Sequence, residues 1–258
     1  MKKRYDLFFI VLWPIVASLF SFFLTLNNLF AIFLFLGIPS VYLSFKGRKY
    51  VRKVFLFALI TSVPAMIAID YIAELNGSWF FYDDTIFPFK IFNVVTIEVV
   101  LWAFLSIFFI LMFYEYFVEE HKEQPRFYRA RMKYYMSFVI FCFALFILFL
   151  YGGFSFNIPY FYLFWGIILL LLPFSIHALN YPKTTTKFFF VLAYFFYFNF
   201  IYEIAALKLN WWGFPGKEFI GWINLFGVSF PIEELLFWMI LFVLSILSLF
   251  EYFDDDEK

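Results

Sequence analysis

Five carboxylic acids stand inside or beside long apolar segments of the chain, where such side chains are rare. They are Asp70, Glu98, Glu203, Glu233 and Glu234. A charged side chain in the hydrocarbon of a membrane costs about 3 kcal/mol, so five acids need a functional or structural reason. A carboxyl group in an apolar pocket can stay protonated near neutral pH and protonate an alkene, and a second carboxylate can remove a proton afterwards. The pattern therefore predicts acid–base chemistry through a carbocation.

Aromatic residues recur one helical turn from these acids. Trp238, for example, follows Glu234 by four positions, a spacing that places two side chains on the same helical face. The face of an aromatic ring stabilises a cation by roughly 0.5 to 2 kcal/mol when water is excluded. Asn199 stands four positions before Glu203 and could hydrogen-bond it. The expected substrate-binding residues are Trp79, Trp102, Trp212, Phe237, Trp238, Tyr71, Tyr202 and Asn199.

The segments that must hold these residues are long enough to cross a membrane. The chain has 258 residues, of which 65% are hydrophobic, 28% aromatic and only 15% charged, whereas a soluble domain is about half apolar and a quarter charged. A membrane helix needs about 20 apolar residues. Eight segments qualify: 7–26, 29–45, 54–72, 93–117, 136–151, 160–179, 188–207 and 227–250. The sequence therefore predicts an all-α, polytopic membrane protein with about eight transmembrane helices.

The distribution of Lys and Arg predicts the orientation of these helices. Of the 19 basic side chains, only Lys90, Lys208 and Lys217 fall in loops on one side, and loops rich in Lys and Arg stay in the cytoplasm. Both termini are therefore expected in the cytoplasm, with the protein in the cell membrane and the five acids near the non-cytoplasmic ends of their helices. Glu115 and Glu251, near the basic side, are expected to be solvated.

The two halves of the chain resemble each other at an offset of roughly 133 to 136 positions. Asp70 precedes Trp79 by nine residues, and Glu203 likewise precedes Trp212 by nine. The fourth and eighth spans both open with an Ile-Glu pair. An even number of spans in each half makes the repeat parallel, about an axis along the membrane normal. We therefore predict two tandem four-helix repeats, residues 1–125 and 126–258.

Several kinds of chemistry lack their sequence signatures. No G-x-G-x-x-G segment and no P-loop occurs, so flavin, NAD and ATP lack their usual binding loops. Cys142 is the single cysteine. His121 and His177 are expected on the cytoplasmic side, away from the five acids, and neither is expected in a cluster that would make it a metal ligand. We therefore predict no cofactor, no metal and no nucleic-acid partner. The expected partners are a lipophilic polyene or isoprenoid substrate and membrane lipid; the oligomeric state is not predicted.

One segment resembles a known family. Residues 231–237 read Pro-Ile-Glu-Glu-Leu-Leu-Phe. Together with the tandem duplication, this segment is similar to the membrane-integral lycopene cyclase domain family, whose motif is Pro-x-Glu, then Glu or Asp, then x-x-Phe. Members occur as paired small subunits in some bacteria and as fused repeats in archaea and fungi. The second repeat carries the full motif, whereas Thr96 and Val99 occupy two of its positions in the first.

The resemblance implies a cofactor-free isomerase that cyclises the linear ψ end group of lycopene to an ionone ring without net redox change. Glu233 or Glu234 would protonate the terminal double bond, and the other acid or Glu203 would accept the proton that ring closure releases. Glu98 and Asp70 would be their equivalents in the first half. The rings that would shield the cation are those of Trp212, Phe237 and Trp238.

Three alternatives remain open. A related cyclase could act on another membrane isoprenoid. Tandem repeats with acids inside the membrane also suit a proton-coupled transporter, although the acids lie near one membrane face rather than at the midplane. In a non-catalytic scaffold, the acids would only hold helices together by hydrogen bonds.

Overall fold

A computed structural model describes residues 2–82, 87–119 and 129–253. Within these residues, eight helices are long and apolar enough to cross a membrane, which confirms the predicted all-helical membrane class. Their bounds are Lys2–Leu24 (α1), Asn28–Lys46 (α2), Arg48–Leu75 (α3), Ile97–Val118 (α4), Arg129–Tyr151 (α5), Phe161–Asn180 (α6), Pro182–Lys208 (α7) and Glu234–Phe253 (α8).

Two predicted spans start too early, because the residues before the helices form other structure. The fourth span begins at Ile97, where the Thr96 hydroxyl accepts a hydrogen bond from the Val99 amide at 3.3 Å and caps the helix. Residues 227–231 do not belong to the eighth span but mostly to a hairpin. The described part of the chain also has four short strands: Phe80–Phe81 (β1), Trp212–Gly213 (β2), Trp222–Leu225 (β3) and Val228–Pro231 (β4).

Four of the helices contain a π-helical stretch, in which the backbone is wider than in an α-helix. These stretches are Phe33–Gly37 in α2, Tyr114–Val118 in α4, Gly166–Leu171 in α6 and Glu234–Leu241 in α8. In α2 and α6 a proline follows two positions later, Pro39 and Pro173. Proline clashes with the carbonyl one turn earlier, which gives a physical reason for the widening there.

The helices of the two halves are interleaved. Helix α1 packs on α7, and correspondingly α5 packs on α3. The pairs α3–α4 and α7–α8 are in contact, and α8 also contacts α4 and α6. Helices α4 and α8 are the most buried, with 67% of the tested window of each inside the protein, whereas only 6% of the α5 window is inside. The centre of the bundle is therefore built around α4 and α8.

Phe237 joins α8 to α6 through a very close contact. Its buried ring packs with Tyr162 and Leu170 and lies against the backbone of Gly166. A Cβ atom added at Gly166 would lie 2.3 Å from the Phe237 ring. Glycine is therefore needed at this position so that the two helices can approach.

We expect Gly166→Ala to lower the free energy of unfolding by roughly 1 to 3 kcal/mol, because overpacking forces the ring or the helix to move. Thermal unfolding in detergent measures the loss. The double variant Gly166→Ala/Phe237→Leu should recover part of the stability, since leucine vacates the space beside the new methyl group. If the stability losses of Gly166→Ala and Phe237→Leu simply add in the double variant, this explanation is contradicted.

The expectation that Glu115 and Glu251 are solvated is wrong. The Glu115 side chain is fully buried, and its Oε1 lies 2.6 Å from Nζ of Lys53, whose side chain is 3% exposed. Glu251 accepts a hydrogen bond from the Tyr114 hydroxyl at 2.7 Å. Both acids lie near helix ends in the sequence, but neighbouring helices cover them, and a buried charge needs such partners.

We expect Lys53→Met to lower the free energy of unfolding by about 3 kcal/mol, because it removes the cation that faces a buried carboxylate. Lys183→Met, at an exposed lysine, is the matched control and should change stability by less than about 0.5 kcal/mol. Replacing both members, as Lys53→Met/Glu115→Leu, should restore much of the loss. If Lys53→Met and Lys183→Met change thermal unfolding equally, the Lys53–Glu115 ion pair does not stabilise the fold as expected.

Candidate functional site

A cavity of about 80 Å³ lies between α3, α4, α6 and α8 and is bordered by β1 and β2. Its walls are almost entirely apolar. Among the described residues that line it, Glu234 is the one acid. The lining residues are Met66, Ile69, Trp79, Phe81, Val99, Trp102, Ala103, Tyr162, Trp165, Trp212, Phe214, Glu234, Trp238 and Phe242. The cavity therefore presents a single carboxyl group in an aromatic enclosure.

Glu234 is held by two neighbours. The Tyr162 hydroxyl donates a 2.5 Å hydrogen bond to its Oε2. The carboxyl group of Glu203, which is fully buried, lies beside that of Glu234 and interacts with it. Two adjacent carboxyl groups away from water cannot both carry a charge cheaply, and a proton shared between them removes the repulsion. The pair can thus store one proton at the wall of the cavity.

Tryptophan indoles hold the two acids at the ends of α3 and α7. Nε1 of Trp79 donates to Oδ1 of Asp70 at 2.7 Å, and Nε1 of Trp212 donates to Oε1 of Glu203 at 3.2 Å. Each acid is fully buried. The nine-residue spacing in the sequence therefore corresponds in both halves to a hydrogen bond from the indole back to the helix.

Two matching turns bring these tryptophans back over their helices. Gly77 and Asn210 adopt the left-handed conformation, with φ of 64° and 55°. The next amide, of Ser78 or Trp211, donates to a helix carbonyl five residues earlier at 2.9 Å in each case, as in a Schellman helix end. The chain then enters β1 and β2, which pair with each other and border the cavity through Phe81 and Trp212.

Glu98 and Glu233 hold loops rather than line the cavity. Oε1 of Glu98 accepts a hydrogen bond from the Phe87 amide at 3.2 Å, and Oε1 of Glu233 accepts one from the Ile220 amide at 2.6 Å. Both acids are fully buried and lie near the starts of α4 and α8, where a negative charge interacts favourably with the helix dipole. Glu98 and Glu233 therefore hold the loops before α4 and α8, whereas Glu234 lines the cavity.

Four of the tryptophans predicted to bind substrate lie in the cavity wall: Trp79, Trp102, Trp212 and Trp238. The rings of Trp102 and Trp238 are close, with centroids 4.4 Å apart, and Trp212 lies 6.4 Å from Trp102. Trp79 lies on the side of Tyr162, at 5.0 Å. The indoles therefore surround the space in front of the acid.

Four other predicted substrate-binding residues are not among those that line the cavity. Phe237 packs between α8 and α6, as described above. Tyr71 packs outside it, against the rings of Phe92, Phe146 and Phe156. Tyr202 lies behind Trp212, with the ring centroids 5.3 Å apart. The predicted hydrogen bond from Asn199 to Glu203 is wrong, because Nδ2 of Asn199 has no partner among the described residues and Glu203 turns towards Trp212.

Five aromatic residues of the wall were not predicted: Phe81, Tyr162, Trp165, Phe214 and Phe242. Tyr162 lies 72 positions from Glu234 in the sequence, so no local spacing connects them. Phe242 is different, because Glu234, Trp238 and Phe242 recur every four residues along a helix that starts with a π-helical stretch. A π-helical turn is wider than an α-helical turn and places residues four positions apart on one face. The four-residue spacing in the sequence could therefore have indicated Phe242.

Three buried indole N–H groups around the cavity have no hydrogen-bond acceptor within the described residues: Nε1 of Trp102, Trp165 and Trp238. Trp238 is 6% exposed. A buried donor without a partner costs roughly 1 to 3 kcal/mol. These three donors therefore lie beside the cavity with their hydrogen-bonding capacity unused by the described residues.

Metal ligation has no visible basis in the described ranges. Across residues 2–82, 87–119 and 129–253, no group of three or more His, Cys, Asp and Glu side chains could hold a metal ion. His121 lies outside the described residues. The prediction of a site without metal or cofactor stays a prediction.

Comparison of the chain with protein-family models, with curated proteins and with solved structures found no match. The fold and the cavity themselves define the class: an all-helical membrane protein whose candidate site combines one accessible carboxyl group, a second carboxyl group behind it and a wall of indoles.

We expect Ala103→Phe to block the cavity, because Ala103 lies in its wall and is 4% exposed. The matched control is Ala144→Phe on the exposed side of α5. The measurement is the amount of lycopene that co-purifies with the protein from lycopene-accumulating cells. Retention should fall at least about tenfold in the first variant, in line with the loss of a steric fit, and stay unchanged in the control. Equal retention in both variants would contradict the expectation that lycopene occupies this cavity.

Proposed function

We propose that the chain is a carotenoid cyclase-like enzyme, an isomerase that closes a ring at the linear end group of a membrane polyene, with lycopene as the first candidate. The observation that carries this proposal is the position of Glu234: it is the one acid among the described cavity residues, and it faces an aromatic enclosure. Such an enclosure excludes water from a carbocation and stabilises it through the ring faces.

The proposed reaction starts with proton addition. The carboxylic acid of Glu234 transfers its proton to the terminal carbon–carbon double bond, which produces a tertiary carbocation and leaves the Glu234 carboxylate. A second double bond of the same chain attacks the cation, so that one carbon–carbon bond forms and closes a six-membered ring. A carbon beside the new cation then loses a proton, which returns to the Glu203–Glu234 pair. Atoms and electrons balance without a redox partner.

Three contacts support these roles. The Tyr162 hydroxyl donates to Glu234 and can continue to do so when Glu234 becomes a carboxylate. The Trp212 indole donates to Glu203 in the same way. Hydrogen bonds of this kind strengthen as negative charge develops on the acceptor. The paired rings of Trp102 and Trp238 would face the cation while it exists.

The proposal includes the predicted architecture of two tandem, parallel four-helix repeats, residues 1–125 and 126–258. Matching features in the two halves support it: the indole–acid hydrogen bonds of Trp79 and Trp212, the two left-handed turns, and the packing of α1 on α7 as of α5 on α3. Among the described residues of the cavity wall, the one acid comes from the second half. We therefore assign catalysis to the second half and a supporting role to Asp70 and Glu98. The proposed location is the cell membrane with both termini in the cytoplasm.

A second candidate is cyclisation of an isoprenoid that carries oxygen. The unpartnered indole N–H groups of Trp102, Trp165 and Trp238 favour it, because a keto or hydroxyl oxygen could accept their hydrogen bonds. A hydrocarbon such as lycopene offers only its π electrons to these donors, which is a weaker contact. The transporter alternative has less support, since the five acids lie within about two turns of a helix end and not at mid-height.

The decisive experiment is pigment analysis of a lycopene-accumulating bacterium that expresses the chain. We expect ring-containing products from the wild type. Glu234→Gln should lower their formation by about a hundredfold or more, because glutamine keeps the shape and the contact with Tyr162 but cannot donate a carboxylic proton. Glu233→Gln is the matched control, because a glutamine oxygen can still accept the hydrogen bond from the Ile220 amide.

The amount of each variant in the membrane must be equal for the comparison to count. The reverse result, with activity lost in Glu233→Gln and kept in Glu234→Gln, would move the donor role to Glu233. Unchanged lycopene in cells that contain folded wild-type protein would contradict lycopene as substrate. Ring formation after feeding of an oxygenated isoprenoid would then support the second candidate, and its absence as well would contradict the cyclase proposal.

A further inference from the structure

A second cavity, larger and more open than the first, lies at the other end of the bundle. It has a volume of about 530 Å³ and is formed where α1 and α3 begin and where α2 and α4 end. Four basic side chains line it: Lys3, Lys46, Arg48 and Lys49. Because four apolar spans start or stop here, the cavity is at the level where lipid headgroups meet water.

The cavity has an excess of positive charge. Lys46 is paired with Asp6 at 2.8 Å, and the lining acid Glu119 is paired with Lys187 at 2.7 Å. The structure gives Lys3, Arg48 and Lys49 no ion pair within the described residues. Each of these three instead lies over an aromatic ring, at 5.6, 5.9 and 4.7 Å from the centroid. Three basic groups therefore face one open space.

An apolar path leads from the cavity along the outside of α2. Phe45 belongs to the cavity wall and is 66% exposed. Val41 and Ile38 follow on the same face of the helix, and they are 55% and 41% exposed. The spacing of three to four residues aligns the three side chains as a stripe. A free inorganic anion makes no favourable contact with this apolar stripe, whereas an acyl chain can lie along it.

We propose that this cavity binds an anionic glycerophospholipid, with the headgroup phosphate between Lys3, Arg48 and Lys49 and an acyl chain along Phe45, Val41 and Ile38. Basic pockets between membrane helices recognise anionic headgroups in this way. The site is independent of the proposed chemistry at Glu234, since it lies at the opposite ends of the helices.

The test is native mass spectrometry of the purified, full-length protein with phosphatidylglycerol and with phosphatidylcholine. The wild type should retain phosphatidylglycerol in preference to phosphatidylcholine. The variant Arg48→Gln/Lys49→Gln should bind phosphatidylglycerol about twentyfold more weakly, because each basic side chain near an anionic headgroup contributes to the attraction. Binding of phosphatidylcholine should be similar in both proteins.

The matched control is Lys133→Gln/Lys183→Gln. Both lysines are exposed at the same end of the bundle and lie outside the cavity wall, so the change in net charge is identical. This control should keep the preference for phosphatidylglycerol. An equal loss in the two double variants would overturn the proposal, because it would reveal general electrostatic attraction. Thermal unfolding confirms that each variant is folded.

Two further arms exclude other occupants. Inorganic phosphate in excess should not displace phosphatidylglycerol; displacement would indicate a site for a free anion and would overturn the lipid assignment. A variant with the acidic end neutralised, Asp254→Asn/Asp255→Asn/Asp256→Asn/Glu257→Gln, should bind the lipid as the wild type does. Preferential binding only after this neutralisation would assign the cavity to the chain's own acidic end and contradict the proposal.

Discussion

A buried carboxyl group in a membrane protein must find its hydrogen bonds inside the protein, and this requirement organises the end of the bundle that contains the cavity. The acids of α3 and α7 receive indole N–H groups from Trp79 and Trp212, which draw the following strands over the helix ends. Glu98 and Glu233, near the starts of α4 and α8, receive backbone amides from the preceding loops. The two indoles also line the cavity. The contacts that satisfy the acids of α3 and α7 therefore help to build the enclosure around Glu234.

Much of the fold could be predicted from the sequence, because membrane spans are long and uniform. The eight apolar segments correspond to the eight helices described, and the nine-residue spacing of acid and tryptophan corresponds to a hydrogen bond in each half. Two predicted spans began too early, because a short loop or strand in an apolar part of the sequence precedes the helix. The strand that ends at Pro231 includes Val228 and Phe230 and runs directly into α8, so a reading by apolar content joined the two. Burial of Glu115 and Glu251 depends on neighbouring helices, which no local pattern reveals.

The kinds of residue in the candidate site, acids and tryptophans, could be predicted from the sequence, but several of the individual residues could not. The acid–aromatic pattern selected Glu234 and four of the indoles that line the cavity. It could not select Tyr162, because only the packing of α6 against α8 brings its hydroxyl to Glu234. It also treated Glu233 and Glu234 as equals. Their difference arises because adjacent residues on a helix point about 100° apart, so one reaches a loop amide and the other reaches the cavity.

The packing of α1 on α7 affects how the protein can be assembled during synthesis. The first helix enters the membrane long before the seventh exists, so its inner face must contact lipid or a temporary neighbour until most of the chain has been made. The Tyr194 hydroxyl of α7 then donates to the Ile10 carbonyl of α1, and Tyr197 donates to Val11. The native contacts of α1 with α7 can therefore form only after most of the chain has been made.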